Sequence, residues 1–405
     1  MITEAEFAQK VRDFLGAHAR RKDQPGEDQE TLAGDAVGRT KAFQKALFDA
    51  GLAGLTYPVE YGGQGLGRGY QEIYTREASV FTLPTNAITI SHGMCLPILN
   101  DFGTPEHKAR HLQRIISAEE IWCQMFSEPG AGSDVASLQT RAELDGDEWI
   151  INGQKVWTSG AQFCDYGLCL ARTSVDVPKH EGISMFIIDM RGAGVDIRPL
   201  RQITGDADFN EIFFTDARIP KSALVGELNR GWNVAVAMLM YERVALGAGG
   251  AGPMASRRFD RLLEIARSRS LTHDAPTRQA LADFYIRETV LRYVGLRMRD
   301  ALRAGRAHGP EGSIAKLASA QLAVLGADVA ARMAGASAIA WADDVAGGDQ
   351  IARGVLGAPA IGIAGGTNEV QRNIIGERVL GLPKEPSADK GVAFKDLLVG
   401  TQRRG

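Results

Sequence analysis

The segment that decides the fold of this chain is Met125-Phe126-Ser127-Glu128-Pro129-Gly130-Ala131-Gly132-Ser133-Asp134. A second segment follows it, Asn152-Gly153-Gln154-Lys155-Val156-Trp157-Thr158-Ser159-Gly160. Turn residues beside short apolar runs predict that both are loops next to strands. We expect Gly130 and Gly132 to take positive φ and to bring backbone N–H groups close to a bound partner.

Polar and aromatic side chains in these two segments indicate a binding role. Ser127, Ser133 and Ser159 offer hydroxyl groups, and Trp157 offers a broad aromatic face. This set suits a planar ring with polar edges, such as a flavin. The same residue types also occur in ordinary turns of a β-domain, so the pattern alone leaves both interpretations open.

Composition limits the number of domains and the kinds of partner. The chain has 405 residues, 44% of them hydrophobic, which is enough for two or three domains with their own cores. The formal net charge of -3 gives no electrostatic argument for binding nucleic acid or an anionic membrane. The cysteines lie in no metal-site or disulfide spacing, which predicts no metal and a reducing compartment; they are Cys95, Cys123, Cys164 and Cys169.

The N-terminus has the pattern of a helix start rather than of a signal peptide. Thr3 and Glu6 are spaced as a capping box before an amphipathic helix. No apolar run approaches the ~20 residues that a membrane span needs. We therefore expect a cytoplasmic protein without a membrane span.

Hydrophobic periodicity predicts three domains. Helical spacing predicts an N-terminal helical domain at 1–121, with a first stripe formed by Phe7, Val11, Phe14 and Leu15. Short alternating runs, with hairpin turns at Asp145-Gly146 and Asn152-Gly153, predict an antiparallel β-domain at 122–225. Long helical patterns then return and predict a C-terminal helical bundle at 226–405. The fold class is an α+β multidomain protein.

Five segments, spread over nearly the whole chain, resemble the acyl-CoA dehydrogenase family. They are the two segments already quoted, Tyr57-Pro58-Val59-Glu60-Tyr61-Gly62-Gly63-Gln64-Gly65, Phe213-Phe214-Thr215-Asp216-Ala217-Arg218-Ile219-Pro220 and Gly366-Thr367-Asn368-Glu369-Val370-Gln371-Arg372. The order of helical, β and helical domains is also that of the family. The resemblance implies FAD as cofactor, an acyl-CoA substrate, electron-transfer flavoprotein as electron acceptor, and a dimer or homotetramer, with a heterotetramer as an alternative.

The resemblance also implies a carboxylate base for the α-proton of the substrate. In many relatives a glutamate stands immediately before the Gly-Thr of the C-terminal motif, but here that residue is Gly365. Relatives similar to isovaleryl- and long-chain dehydrogenases carry the glutamate on a helix instead, directly before an arginine. Glu242, followed by Arg243, matches that place, so we expect Glu242 to be the base. The alternative is a solvated Glu-Arg pair on a helix surface.

The remaining site residues are implied by position within the resembling segments. The expected cofactor contacts are Phe126, Ser127, Gly132, Ser133, Trp157, Ser159, Gln279, Thr367 and Glu369. The expected substrate contacts are Arg243 and, in addition to its cofactor contact, Ser133. For Glu369 the alternative is a carboxylate at a helix start, beside free N–H groups.

Two segments depart from the family pattern. Where an Arg-x-x-Phe-Gly diphosphate segment is expected, the chain has Arg267-Ser268-Arg269-Ser270-Leu271. One of these arginines could still pair with a diphosphate. Near Gly335 a Gly-Gly-Asn-Gly flavin loop is reduced to one glycine. The departures affect the adenine end of the expected flavin site and leave its ring end intact.

Three functions are compatible with these patterns. The first is dehydrogenation of an acyl-CoA between its α and β carbons. The second is an oxidase of the same fold, in which oxygen reoxidises the flavin. The third is a partner subunit that completes the site of another chain in a mixed oligomer, which the two departures favour and Glu242 opposes. The type of acyl group, linear, branched or bulky, is left open.

Overall fold

The computed structural model describes residues 2–24, 35–251, 258–304, 309–339, 348–387 and 389–397, with the backbone alone at 243–251, 302, 303 and 348. The chain divides into two compact units. Unit 1 is Met1–Gln202, Asp206–Tyr241 and Ser387–Gly405, and unit 2 is Ile203–Gly205 and Glu242–Pro386. Each unit has its own hydrophobic core.

Unit 1 begins with a helical part. Its elements are α1 (Glu4–His18), β1 (Arg20–Arg21), α2 (Ala36–Asp49), α3 (Arg68–Ala78), β2 (Phe81–Thr82), α4 (Leu96–Phe102) and α5 (Pro105–Ile116). The capping box is confirmed: Thr3 Oγ1 accepts from the Glu6 N–H at 3.3 Å, and Glu6 Oε2 accepts from the Thr3 N–H at 2.8 Å. Periodicity did not predict α4, because its residues Leu96–Leu99 are buried on every side and leave no polar stripe.

The middle of unit 1 is an eight-stranded sheet. Its strands are β3 (Trp122–Met125), β4 (Arg141–Asp145), β5 (Glu148–Ser159), β6 (Tyr166–Arg172), β7 (Ile183–Asp189), β8 (Val195–Leu200), β9 (Phe209–Pro220) and β10 (Leu224–Val225). The order is β10-β7-β6-β4-β5-β9-β8, with β3 paired to β6. Because β3 runs parallel to β6, and β4 meets β6 in parallel at Arg141 and Arg172, the sheet is mixed rather than purely antiparallel.

One of the two predicted hairpin turns is confirmed and the other is wrong. Asp145 ends β4, the turn of Gly146 and Asp147 connects it to β5, and Gly146 has φ 62°. Asn152 and Gly153 lie inside β5 instead, at a shift in its register with β9. Gly153 has φ 152° there, so the glycine serves a β-bulge.

The helical bundle follows the sheet in the chain. It contains α6 (Gly231–Ala251), α7 (Arg258–Ser268), α8 (Ala275–Arg303), α9 (Gly312–Ala334), α10 (Gly348–Ile361) and α11 (Asn368–Ile374). The unit boundary falls within α6, between Tyr241 and Glu242. Leu262, Phe284 and Met333 belong to the core of unit 2. The domain boundaries predicted at 121/122 and 225/226 remain predictions.

One helix corrects the expectation about apolar runs. The stretch Gly312–Ala338, 27 residues long, is long and apolar enough to cross a membrane by length and composition. A single such helix is weak evidence, because a core helix of a soluble protein passes the same test. Most of this stretch is α9, which packs against α7, α8, α10 and α11 in the bundle.

Candidate functional site

The first of the two quoted segments is a loop after β3, as predicted. Phe126 is buried and Ser127 is half-buried, whereas Gly132 and Ser133 are exposed. Neither Gly130 nor Gly132 has a φ in the left-handed region, so the expected positive φ at these residues is wrong. No atom lies within 4 Å of the place where a Cβ would stand at either glycine. The segment is therefore open on its glycine side.

The second segment is a strand rather than a loop, and it carries a strained tryptophan. It occupies most of β5, whose register with β9 shifts between Lys155 and Thr158. Inside this bulge Trp157 has φ 61°, and its side chain is 61% exposed. A bulky residue in the left-handed region costs about 1–3 kcal/mol and is typical of functional sites. The sheet thus holds an indole ring toward the outside at an energetic cost.

A matched pair of variants tests this strain. In flavin-free protein, Trp157→Gly is expected to be more stable than Trp157→Ala by about 0.5–1 kcal/mol. Both variants lose the indole ring, but only glycine adopts positive φ without a steric penalty, part of which its larger loss of entropy offsets. Denaturant unfolding measures the difference. Equal stability of the two variants, or greater stability of the alanine variant, would contradict the strain.

Hydrogen bonds join the start of the first segment to the middle of the second. The Val156 N–H donates to the Ser127 carbonyl at 2.9 Å. The Lys155 ammonium donates to the Phe126 carbonyl at 3.1 Å. Ser159, the last residue of β5, is half-buried and pairs with Phe209. The structure therefore brings Phe126 and Ser127 next to the strand that carries Trp157.

A buried ion pair behind the loop was not assigned a role from the sequence. Lys155 is fully buried and Glu128 nearly so, and Lys155 Nζ lies 2.8 Å from Glu128 Oε1. The Glu128 carboxylate also accepts from the N–H groups of Gln139 at 2.6 Å and Thr140 at 2.9 Å. Its backbone bonds to Ala131 in both directions at 3.0 Å and closes the turn. Glu128 thus anchors the loop from within.

The charge state of Glu128 makes stability depend on pH. Burial raises its pKa, but the charge of Lys155 and the N–H bonds outweigh burial and hold the pKa below the ordinary 4.5. A lowered folded-state pKa contributes stability that is present above pH ~4.5 and is lost as pH falls through the folded value. We expect the free energy of unfolding to fall less steeply with decreasing pH below that point in Glu128→Gln/Lys155→Met than in the wild type. Urea titrations at several pH values measure the slopes, and equal slopes would contradict the assignment.

Two buried polar atoms lie unpaired close to Trp157. Thr158 Oγ1 and Asn210 Oδ1 have no hydrogen-bond partner. The Asn210 amide donates to the Thr158 carbonyl at 3.1 Å, so the two residues are adjacent. Buried polar atoms usually have partners, so each exception calls for an explanation such as a functional role or an ordered water. The exposed aromatic face of Trp157 and the exposed Ser133 fit the ring end of a flavin.

In unit 2 the structure places Glu242 within α6, where it is half-buried. The side chain of Arg243 lies outside the described residues. Gly365 has φ 67°, a conformation that strains any L-residue. The carbonyls of Gly365 and Gly366 both accept from the buried Gln371 amide, at 3.0 and 3.2 Å. The backbone at the position of the alternative base is therefore built for glycine.

Three further predicted site residues also lie in unit 2. Thr367 is the N-cap of α11 and accepts from the Val370 N–H at 3.2 Å. Glu369 lies in the first turn of that helix, exposed and 3.2 Å from Arg372, as the alternative of a helix-start carboxylate expects. Gln279 is exposed on α8. Thr367 and Glu369 are thus brought together at one helix end.

Arg269, one of the two arginines that could pair with a diphosphate, forms hydrogen bonds within its own chain. The Arg269 guanidinium donates to the Ala334 carbonyl at 3.0 Å and to Ser337 Oγ at 2.6 Å. It caps the end of α9, where Gly335 has φ 58°. Both acceptors are neutral, so the positive charge of Arg269 is not compensated by them, and the pairing of one of the two arginines with a diphosphate stays a prediction. Among the described residues, no cluster of His, Cys, Asp or Glu side chains could hold a metal ion.

Three family models match the chain in the order of its parts. The N-terminal domain of acyl-CoA dehydrogenase matches residues 3–119, the middle domain 123–217 and the C-terminal domain 229–380. Together they cover both quoted segments, α6 and α11.

Relatives and solved structures agree with these models. The chain is 38% identical to acyl-CoA dehydrogenase IpdE1 of Mycobacterium tuberculosis over 94% of this chain and 98% of that protein. It is 28% identical to the Tcur3481-Tcur3483 steroid ACAD, a solved structure, with a TM-score of 0.78 over 94% of this chain and 98% of that one. It is 29% identical to the ChsE4-ChsE5 complex from Mycobacterium tuberculosis, with a TM-score of 0.75 over 95% and 99% of the two chains. The chain belongs to the acyl-CoA dehydrogenase family, whose members are flavoprotein enzymes.

Proposed function

We propose that this protein oxidises an acyl-CoA thioester to the trans-2-enoyl-CoA, with Glu242 as the base that takes the α-proton and FAD as cofactor. The observation that carries the flavin part is Trp157, held exposed by a strained bulge beside unpaired buried polar atoms. When bound, FAD accepts the hydride that leaves the β carbon. The chain itself supplies the proton acceptor, the contacts that orient the ring and the surfaces that exclude water.

Two observations support Glu242 as the base. It stands on α6 directly before Arg243, as in the relatives whose base lies on a helix. The alternative position is Gly365, which has no side chain to act as a base and whose φ of 67° would strain any other residue there. A carboxylate in water has a pKa near ~4.3, too low for an efficient base. Loss of water around Glu242 when acyl-CoA binds would make its carboxylate a stronger base, because burial disfavours the charged form.

The loop and β5 orient the flavin ring in this proposal. Trp157 would lie against one face and shield it from water. The hydroxyls of Ser127 and Ser159 and the open backbone at Gly132 would meet its polar edges. Ser133, exposed at the end of the loop, would contact both the cofactor and the acyl-CoA. Gln279, Thr367 and Glu369 are further expected cofactor contacts; those of Thr367 and Glu369 would be made in the same chain or in a neighbouring subunit.

We further propose that the substrate carries a bulky polycyclic acyl group. Electron-transfer flavoprotein would take the electrons from the reduced flavin. The protein would work as a dimer or tetramer in the cytoplasm. One of the related solved structures is a steroid ACAD, which supports the polycyclic acyl group. The four unpaired, buried cysteines support a reducing compartment.

Anaerobic titration tests the reaction and the substrate class together. The purified protein, loaded with FAD, is titrated with linear, branched and steroid-type acyl-CoA thioesters while the visible flavin absorption is followed. We expect rapid bleaching by the steroid-type thioester. Bleaching by linear thioesters alone would contradict the substrate class but not the reaction. Absence of bleaching by every thioester would contradict the reaction.

A second candidate function is the partner subunit of a mixed oligomer. The observation in its favour is the change in two segments expected to hold the adenine end of FAD, one at Arg267–Leu271 and one near Gly335. The related ChsE4-ChsE5 structure is a complex of two proteins. Purification of the chain alone separates the two candidates. A colourless, inactive protein that gains flavin only when co-expressed with a relative would favour the partner subunit.

A further inference from the structure

The last described part of the chain forms a strap across unit 1. We use the name C-terminal strap for residues 389–397. These residues return to unit 1 after the chain has built unit 2. The Phe394 N–H donates to the Val177 carbonyl at 2.9 Å, and the Lys395 N–H donates to the Val175 carbonyl at 3.0 Å. The strap is therefore joined by backbone hydrogen bonds and one isolated β-bridge, Ala393 with Pro178, to the connection between β6 and β7, residues 173–182.

The strap also contacts the end of β6 through an aromatic ring. Phe394 is buried, and the guanidinium carbon of Arg172 lies 3.7 Å from the centre of its ring. Arg172 is itself only 3% exposed. A guanidinium that is desolvated over an aromatic face is held more firmly than one in water. Phe394 thus fixes the position of the Arg172 side chain.

Arg172 passes this constraint to the segment that follows the first loop. Its guanidinium donates to the Ala136 carbonyl at 2.6 Å, to the Leu138 carbonyl at 3.3 Å and to the Lys179 carbonyl at 2.5 Å. Ala136 and Leu138 come directly after the loop that ends at Asp134. One buried cation therefore joins the loop, the β6–β7 connection and the strap.

A second link runs through Lys179. Its ammonium lies 2.7 Å from Asp134 and also contacts Asp389 of the strap. The Lys179 side chain is 11% exposed, so the two pairs are partly shielded from water. Asp134 is adjacent to Ser133, the residue expected to contact both flavin and substrate. The strap thus reaches the exposed end of the loop by two routes.

We propose that Phe394 and Arg172 are positioning residues, through which the C-terminal strap holds the loop Ser127–Asp134 in the conformation that binds flavin and acyl-CoA. The flavin part rests on the proposed function. The constraint on the loop does not, because every contact that carries it lies within unit 1 and involves no cofactor. Neither residue touches the reacting atoms, so their removal acts on binding rather than on the chemical step.

The test compares Phe394→Ala with Phe394→Tyr, which keeps a ring, and with Lys395→Ala, which removes only an exposed pair to Asp176. In the flavin-free protein, amide hydrogen exchange at residues 130–138, the second half of the loop and the segment directly after it, is expected to be roughly tenfold faster in Phe394→Ala. Exchange in β7 serves as the internal reference for global unfolding and is expected to stay unchanged. In the full enzyme, the Kd for FAD and the KM for acyl-CoA should rise roughly tenfold with kcat nearly constant. Phe394→Tyr, which keeps the ring, should show wild-type exchange in this segment and wild-type values of the Kd and the KM.

The outcomes separate this proposal from the proposed function. Unchanged loop exchange in Phe394→Ala overturns the positioning role, even if the wild-type protein binds FAD. Equal acceleration in the loop and in β7 also overturns it, because the ring would then support only the general stability of the unit. Faster exchange confined to the loop supports the positioning role, and failure of the wild-type protein to bind FAD would then contradict the proposed function alone.

Discussion

Glu242→Gln is expected to slow the reduction of bound flavin by acyl-CoA about 10³–10⁴-fold, while the protein stays yellow and still binds the thioester. Glutamine has nearly the same shape as glutamate but cannot accept the α-proton, and a positioned general base contributes about 10²–10⁴-fold to a rate. Rapid mixing under anaerobic conditions, with the flavin absorption followed in time, measures the effect in a single turnover.

The matched control is Glu264→Gln. Glu264 is an exposed glutamate on α7, in the same unit, and has no role in the proposed site. Its replacement is expected to leave the rate of reduction within about twofold, because surface substitutions of this kind have small effects. Near-normal reduction in Glu242→Gln would remove Glu242 from the role of base. Equal slowing in both variants would show that the loss is not specific to that position.

Local patterns predicted the elements whose stability is local. The capping box at Thr3 and Glu6 and the turn at Asp145 and Gly146 are each formed by neighbours in sequence. The Asn152-Gly153 pair is an equally strong turn signal, yet it lies within β5. Pairing with β9 along the whole strand outweighs the local preference there, and the glycine becomes a bulge. Parallel pairing of β3 with β6 is also a non-local choice that turn signals do not report.

The candidate site was also predictable only where its features depend on local sequence. Residue types and order identified the loop and Trp157, but not the positive φ of the tryptophan, which arises from the register shift of β5. The Glu128–Lys155 pair was missed because charged residues within a polar loop and a strand usually face solvent. A sequence signal does exist, because Lys155 lies within a strand that buries one face. A lysine that is buried there needs a partner of opposite charge. The engagement of Arg269 with the end of α9 depends on helix packing and has no comparable signal.

Lys155→Met is expected to lower the free energy of unfolding by about 3–5 kcal/mol and to reduce the flavin content of the purified protein. Methionine fills nearly the same volume but leaves the buried Glu128 carboxylate without its countercharge, and an unpaired buried charge is what makes such substitutions costly. The Phe126 carbonyl also loses its donor, so the start of the loop is less firmly held. Denaturant unfolding and the ratio of flavin to protein absorption measure the two effects.

Two further variants identify the cause of that loss. Glu128→Gln/Lys155→Met removes both charges and is expected to be more stable than Lys155→Met, because no buried charge is left unpaired. Lys395→Met breaks an exposed pair with Asp176 and is expected to cost less than about 1 kcal/mol. A double variant no more stable than Lys155→Met would mean that lost packing, rather than the uncompensated carboxylate, destabilises the unit. The loop would then be anchored by the shape of the lysine side chain and not by its charge.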